Sequence, residues 1–83
     1  MRSRNYRKAS PDICQRLATN LWRLRKARGY TQERLGKRCG LTKNYISNIE
    51  RATVNISLAN LEAIATGLDC SAQDLLAPIR RPR

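Results

Sequence analysis

Between Thr42 and Arg51 the chain sets Lys43, Asn44, Ser47, Asn48 and Arg51 within one and two helical turns of each other, while Ile46 and Ile49 mark the opposite side. Such a surface is rich in hydrogen-bond donors. Lysine can donate to guanine O6 and N7, and asparagine can pair at two points with adenine N6 and N7 in a major groove. The competing description is a merely solvated polar face. Residue types for bond-making chemistry are scarce by comparison. There is no histidine, and the three cysteines, 14, 39 and 70, are widely spaced with no C-x-x-C pair. They occupy apolar positions and read as small core residues. With no metal-ligand cluster, no nucleotide-binding glycine loop and carboxylates that have other roles, neither a metal site, a cofactor site nor an enzyme is expected.

The donor face needs elements to hold it, and residues 31 to 51, TQERLGKRCGLTKNYISNIER, supply them. Leu35 and Cys39 lie four apart and Ile46 and Ile49 three apart, so each short segment has one apolar side at helical spacing. Gly40 between them can enter the left-handed conformation that ends a helix, and Thr42 can cap the next one. This is the geometry of a helix-turn-helix. Gly36 weakens a helix interior by about 1 kcal/mol relative to alanine. Close crossing of two helices accounts for it, with Ile46 as the expected contact.

The rest of the chain predicts an all-α fold of five helices. Ser10, Pro11 and Asp12 form a cap, a first-turn proline and an acid at a positive helix end. Ile13, Leu17, Leu21 and Leu24 then make an apolar row that stops at Gly29. Helices are expected at about 32 to 39 and 43 to 51, followed by a loop from Ala52 to Ile56. Ser57 caps a fourth helix whose buried row is Leu58, Leu61, Ile64, Ala65 and Leu68, with Gly67 as its breaker. Ser71 and Asp74 resemble a capping box opening a short fifth helix that carries Leu75 and Leu76 and stops before Pro78. The expected organisation is a flexible basic arm over residues 1–11, one domain over 12–77 and a basic tail over 78–83. Eighty-three residues suit a single small domain.

Seventeen lysines and arginines against six acids give a net charge of +11, unevenly spread. Arg2, Arg4, Arg7 and Lys8 face no acid in the arm, and Arg80, Arg81 and Arg83 face none in the tail. Residues 12 to 51 carry ten bases against Asp12, Glu33 and Glu50, whereas residues 52 to 77 carry Glu62, Asp69 and Asp74 and no base. A basic end opposed to an acidic end suits a phosphate-facing surface, because each neutralised phosphate releases a condensed counterion. An interfacial membrane helix would need an apolar face that the basic flanks lack. No apolar run approaches the about 18 residues of a membrane span, and the first residues do not resemble a signal peptide, so a cytoplasmic location is expected. An RNA-binding module would use stacked aromatics, but Tyr6, Trp22, Tyr30 and Tyr45 are scattered. A small protein-interaction module is the remaining alternative of a different class.

Gln32, Leu35, Gly36, Cys39, Gly40, Ile46 and Ile49 match in register the lambda-repressor-like or XRE family of helix-turn-helix DNA-binding domains, and Ser47 and Glu50 fit its I-S-x-x-E run. The chain resembles that family from about residue 12 to residue 77. The resemblance implies a compact five-helix regulator of transcription. Such a protein binds double-stranded DNA as a homodimer on a near-palindromic operator, with the third helix in the major groove. By position it assigns base contacts to Thr42, Lys43, Asn44, Ser47 and Asn48. It gives Gln32 a phosphate contact and a buttressing role, makes Tyr45, Arg51, Asn55 and Ser57 further phosphate candidates, and makes Arg25 and Glu50 a structural ion pair. The apolar fifth helix and its exit suggest dimerisation through Leu68, Leu75, Leu76 and Ile79. The run from Tyr45-Ile46-Ser47 through Asn55-Ile56-Ser57-Leu58 to Asn60-Leu61 is similar to the controller proteins of restriction-modification systems, small autoregulatory homodimers. Phage repressors and antitoxin-like regulators share most of the same pattern.

Overall fold

The computed structural model describes residues 9–79. All but the innermost residues of the expected arm and tail therefore lie outside the described residues. Five α-helices follow in order, α1 (Pro11–Ala27), α2 (Gln32–Cys39), α3 (Lys43–Glu50), α4 (Leu58–Gly67) and α5 (Ala72–Leu76), with no strand among the described residues. Each begins on a hydroxyl. Ser10, Thr31, Thr42, Ser57 and Ser71 accept a hydrogen bond from the amide three residues on, at 3.0 to 3.2 Å. One such cap is worth about 1 kcal/mol. At α5 the box is reciprocal, since the Asp74 carboxylate accepts from the Ser71 amide at 3.0 Å.

Helix ends are made differently. Gly29 and Gly40 take positive φ, 72° and 73°, after α1 and α2. After α3 the left-handed residue is Ala52 (φ 60°), and after α4 it is Asp69 (φ 54°). Both still close the usual pair of bonds that satisfies the last carbonyls: Ala52 N to Ile49 O and Thr53 N to Asn48 O, then Asp69 N to Thr66 O and Cys70 N to Ala65 O. Gly67 is therefore not the breaker of α4, but its last residue, buried because a Cβ there would lie 2.5 Å from Cys39 Sγ. Gly36 likewise serves close approach, with a different neighbour from the one expected. A Cβ would sit 2.6 Å from the Leu41 carbonyl oxygen, so the backbone of the turn, and not the Ile46 side chain, needs the space.

α1 packs on α3 and α5, α2 on α3 and α4, and α4 on α5. Leu17 and Leu21 of α1, Leu35 of α2, Ile46 and Ile49 of α3, Leu61 and Ile64 of α4, Leu68 and Leu75 form one core. Burying each such side chain contributes roughly 1.5–3 kcal/mol. Two expectations fail here. Leu58 was placed in the buried row but is 82% exposed, because it lies at the margin of that row in the first turn of α4. Leu68 and Leu75, expected between two copies, are 0% exposed and already spent on the protomer's own core. The three cysteines are unpaired and half-buried. Burial pushes the Cys39 and Cys70 thiols above their ordinary range.

Polar side chains lock the packing. Arg25 Nε meets Glu50 Oε2 at 2.6 Å and its Nη2 donates to Glu50 Oε1 at 2.9 Å, with Nη1 on the Tyr30 carbonyl at 2.8 Å. Gln32 Nε2 donates to the same Glu50 Oε1 at 3.0 Å. The two charged side chains are 9% and 7% exposed, so α1, α2 and the end of α3 meet at a nearly dry ion pair. Asn20, also buried, donates to the carbonyls of Leu75 and Ala77 at 3.0 and 2.9 Å and ties α1 to the end of α5. Arg38 lies over the Tyr30 ring and donates to the Gly67 carbonyl at 2.8 Å, tying α2 to the end of α4.

We predict that Glu50→Ala or Arg25→Ala alone costs about 3–5 kcal/mol, since the abandoned partner keeps its desolvation cost, whereas Arg25→Met with Glu50→Leu recovers most of that loss. Thermal melts of the three variants decide it; a wild-type melt for Glu50→Ala would remove the pair from any account of stability. The glycine and alanine at special positions should respond with opposite signs. Ala52→Gly relieves a left-handed alanine and should stabilise by up to about 1 kcal/mol, a rise of several degrees in melting temperature. Gly36→Ala should destabilise by about 1–3 kcal/mol despite alanine's better helix propensity, because a backbone carbonyl must move. A higher melting temperature for Gly36→Ala would mean that the turn is not packed tightly against α2.

Candidate nucleic-acid interface

With Ile46 and Ile49 sealed in the core, α3 can turn only its other side outward. Lys43 and Asn44 are exposed, and Ser47 and Asn48 are half-buried on the same side one turn later. Thr42 is also exposed, but its Oγ1 accepts from the Tyr45 amide at 3.0 Å, so only its hydroxyl proton is left for another partner. Four of the five residues assigned to base contact, Lys43, Asn44, Ser47 and Asn48, thus lie along one face of α3, and Thr42 precedes them as its cap. Arg51 joins them from the helix end and donates to Asn48 Oδ1. Among the described residues neither Lys43 nor Arg51 pairs with a carboxylate, whereas Asp12, Glu33 and Asp69 each lie near a base, Arg16, Lys37 and Arg38 respectively.

The phosphate candidates fall into two groups. Gln32 is the first residue of α2, half-buried, with one amide hydrogen on Glu50 and the other free. Thr31 caps α2 by taking the Arg34 amide, which leaves the first amides of that helix open to an anion. Tyr45, Asn55 and Ser57 lie elsewhere and carry structural bonds. The Tyr45 hydroxyl accepts from Asn60 Nδ2 at 3.0 Å, joining α3 to α4, and keeps its own proton to donate. Asn55 Oδ1 accepts from the Ala9 amide at 3.2 Å, which pins the loop after α3 to the start of the described chain. Ser57 Oγ caps α4.

Three positioning residues escape a reading of the sequence alone. Asn20 falls on the apolar row of α1 between Leu17 and Leu21, and a polar residue in that row is the signal that a buried carbonyl needs a donor. Arg38 and Asn60 leave no such mark, since both sit among exposed or half-exposed polar positions. Leu76 and Ile79 are half-buried near the exit of α5. Leu76 lines a mainly apolar recess of about 170 Å³ together with Ile13, Val54, Ile56 and the exposed Leu58.

Comparison with known proteins adds to this geometry. The helix-turn-helix family model (HTH_3) matches residues 23–75. The chain is similar to the Neisseria hypothetical transcription factor of Neisseria meningitidis serogroup B, 40% identical over 67 residues, which are 81% of this chain and 63% of that protein. Among solved structures it resembles the restriction-modification controller protein C.AhdI from Aeromonas hydrophila, with a TM-score of 0.72 at 35% identity over 75% of this chain and 94% of that one. It also resembles the P22 c2 repressor protein solved in complex with synthetic operator 9T, with a TM-score of 0.69 at 31% identity over 74% of this chain and 92% of that one. A sealed apolar side of α3, a glycine-tight turn before it and a family match over residues 23–75 agree, and the chain belongs to the helix-turn-helix family in its lambda-repressor-like, XRE form.

Proposed function

We propose that this protein is a sequence-specific regulator of transcription that lays α3 in the major groove of double-stranded DNA, acting in the cytoplasm. The observation that carries the reading is the outward face of α3, where Lys43 and Asn44 stand exposed, beside the open N-terminus of α2 with Gln32. Its donors match base edges, and the free amides and Gln32 match flanking phosphates. The likeness to a repressor solved on its operator supports duplex DNA as the ligand. The likeness to C.AhdI favours an autoregulatory controller of a restriction-modification operon over a phage or antitoxin regulator.

One helix-turn-helix reads few base pairs, so the proposal includes a homodimer on half-sites about 34–36 Å apart. Because Leu68 and Leu75 are buried, its surface is redrawn around the recess: Leu58, Val54, Ile56 and Leu76. Leu58 is the residue whose exposure most needs a cover.

Selection from a random duplex pool, followed by mobility shifts on the winning duplex and on RNA of equal length, tests the ligand. Asn44→Ala and Lys43→Ala should each cost about 1–3 kcal/mol on the selected site and relax one position per half-site. Equal affinity for RNA, or no enriched sequence, would sink the reading. Sedimentation tests the assembly. Wild type should dimerise at micromolar concentration, and Leu58→Asp should be a folded monomer with weakened operator binding; wild type that stays monomeric at high micromolar concentration with and without DNA would refute the dimer.

A further inference from the structure

Arg51 does more than end α3. A guanidinium carries only donors, so the Asn48 atom that faces it must be the carboxamide oxygen, and the amide NH2 must point the other way. The backbone beneath is held as well. The Asn48 carbonyl accepts from Thr53 N at 3.1 Å, Thr53 Oγ1 at 2.9 Å and Arg51 N at 3.2 Å, so the last turn of α3 is strapped to the following loop. Asn48 therefore has its oxygen turned to Arg51 with one of its two lone pairs taken, and its NH2 free to donate.

We propose that Arg51 orients Asn48 so that Asn48 prefers guanine to adenine. This rests on α3 being the reading helix. Bidentate pairing with adenine needs one acceptor and one donor on the amide, to meet N6–H2 and N7. Oδ1 has two lone pairs, and Arg51 takes one and turns the oxygen toward itself, so the amide is a poorer acceptor for the adenine N6–H2 while its NH2 stays free to donate. Cytosine N4–H2 meets the same poorer acceptor. Guanine offers two adjacent acceptors, O6 and N7, and thymine O4 only one. Arg51 has further N–H groups free for a phosphate, so a single side chain couples backbone contact to base choice. Asn44 makes no side-chain hydrogen bond among the described residues, which leaves it both donor and acceptor and suited to adenine. Two asparagines one turn apart would then read different bases because of one neighbouring arginine.

The experiment is duplex selection with wild type, Asn48→Ala and Arg51→Met, with affinities measured across a salt series. One position per half-site should hold guanine in the wild-type selection and lose its preference in Asn48→Ala. In Arg51→Met the freed oxygen should shift that position from guanine toward adenine by about tenfold in relative affinity, the scale of one good base contact. The salt slope should fall by about 0.9 for the lost phosphate contact. Adenine at that position in wild type would overturn the proposal. So would an Arg51→Met protein that lost affinity and salt slope yet kept the same guanine-to-adenine ratio. If Asn48→Ala relaxed no position while Asn44→Ala and Lys43→Ala still did, this proposal would fall and the reading of α3 would stand; if none of the three did, both would fall.

Discussion

The buried meeting of Arg25 and Glu50 is the constraint around which this small domain is arranged. Two charges nearly excluded from water would cost several kcal/mol each if left alone. Here the guanidinium spends three nitrogens on the Glu50 carboxylate and the Tyr30 carbonyl, and the carboxylate gains a further donor in Gln32. The energetic result need not exceed that of a well-packed apolar cluster. What an apolar cluster lacks is direction. Four hydrogen bonds with fixed angles hold the end of α3 against α1, the α1–α2 turn and the first residue of α2, so α3 has one setting relative to the helix N-terminus beside it.

The other end of α3 is fixed by different means. Gly36 lets the Leu41 carbonyl approach α2 so closely that no side chain would fit between them. Thr42 then caps α3, and Asn60 reaches the Tyr45 hydroxyl from α4. A helix of only 8 residues, too short to be stable alone, is thereby held at both termini and along its apolar side. Its donor face is what remains after every other side has been used. Rigidity there suits the proposed base reading, because a base edge is discriminated by hydrogen bonds that fail when a donor moves by an ångström or so.

How much of this could be read from residues alone depends on whether the cause is local. Helix starts are local, since a hydroxyl reaches the amide three residues on whatever the surroundings, and four of the five caps, Ser10, Thr42, Ser57 and Ser71, were read; Thr31 was not named. Ends at Gly29 and Gly40 were legible for the same reason. Ala52 was not, because alanine adopts positive φ only when tertiary packing demands it, and Asp69, of a type that tolerates positive φ, was passed over for Gly67. Gly36 was legible as an oddity, but periodicity ranks side chains by face and cannot see a backbone carbonyl arriving from the next turn. The same blindness misassigned three leucines. An apolar row says which side of α4 or α5 avoids water, and not whether this protomer or another one covers it, so Leu75 was assigned to a second copy, Leu68 to both the buried row and that contact, and Leu58 inward. The ion pair and the donor face followed from family resemblance and helical spacing together. The Asn20, Arg38 and Asn60 bonds join residues 15 or more apart; only Asn20, a polar residue in an apolar row, leaves a local mark, and it does not name the partner.

On the proposed reading, size explains why such a domain would leave Leu58 uncovered. A reading contact is worth about 1–3 kcal/mol, and specific sites are typically preferred over random DNA by about 4–10 kcal/mol. Two or three contacts from one short helix fall in the lower part of that range, and general phosphate attraction, however strong on a chain of net charge +11, adds affinity to every sequence equally. Specificity can then grow by enlarging the domain or by using it twice. The core already absorbs most of the large apolar side chains, so a larger reading surface would need more residues to support it. Using it twice needs only a modest apolar patch away from α3. In the proposed dimer, Leu58 and the recess beside it, joined to the end of α3 through the loop of Val54 and Ile56, would provide one that links the spacing of the two reading helices directly to the fold.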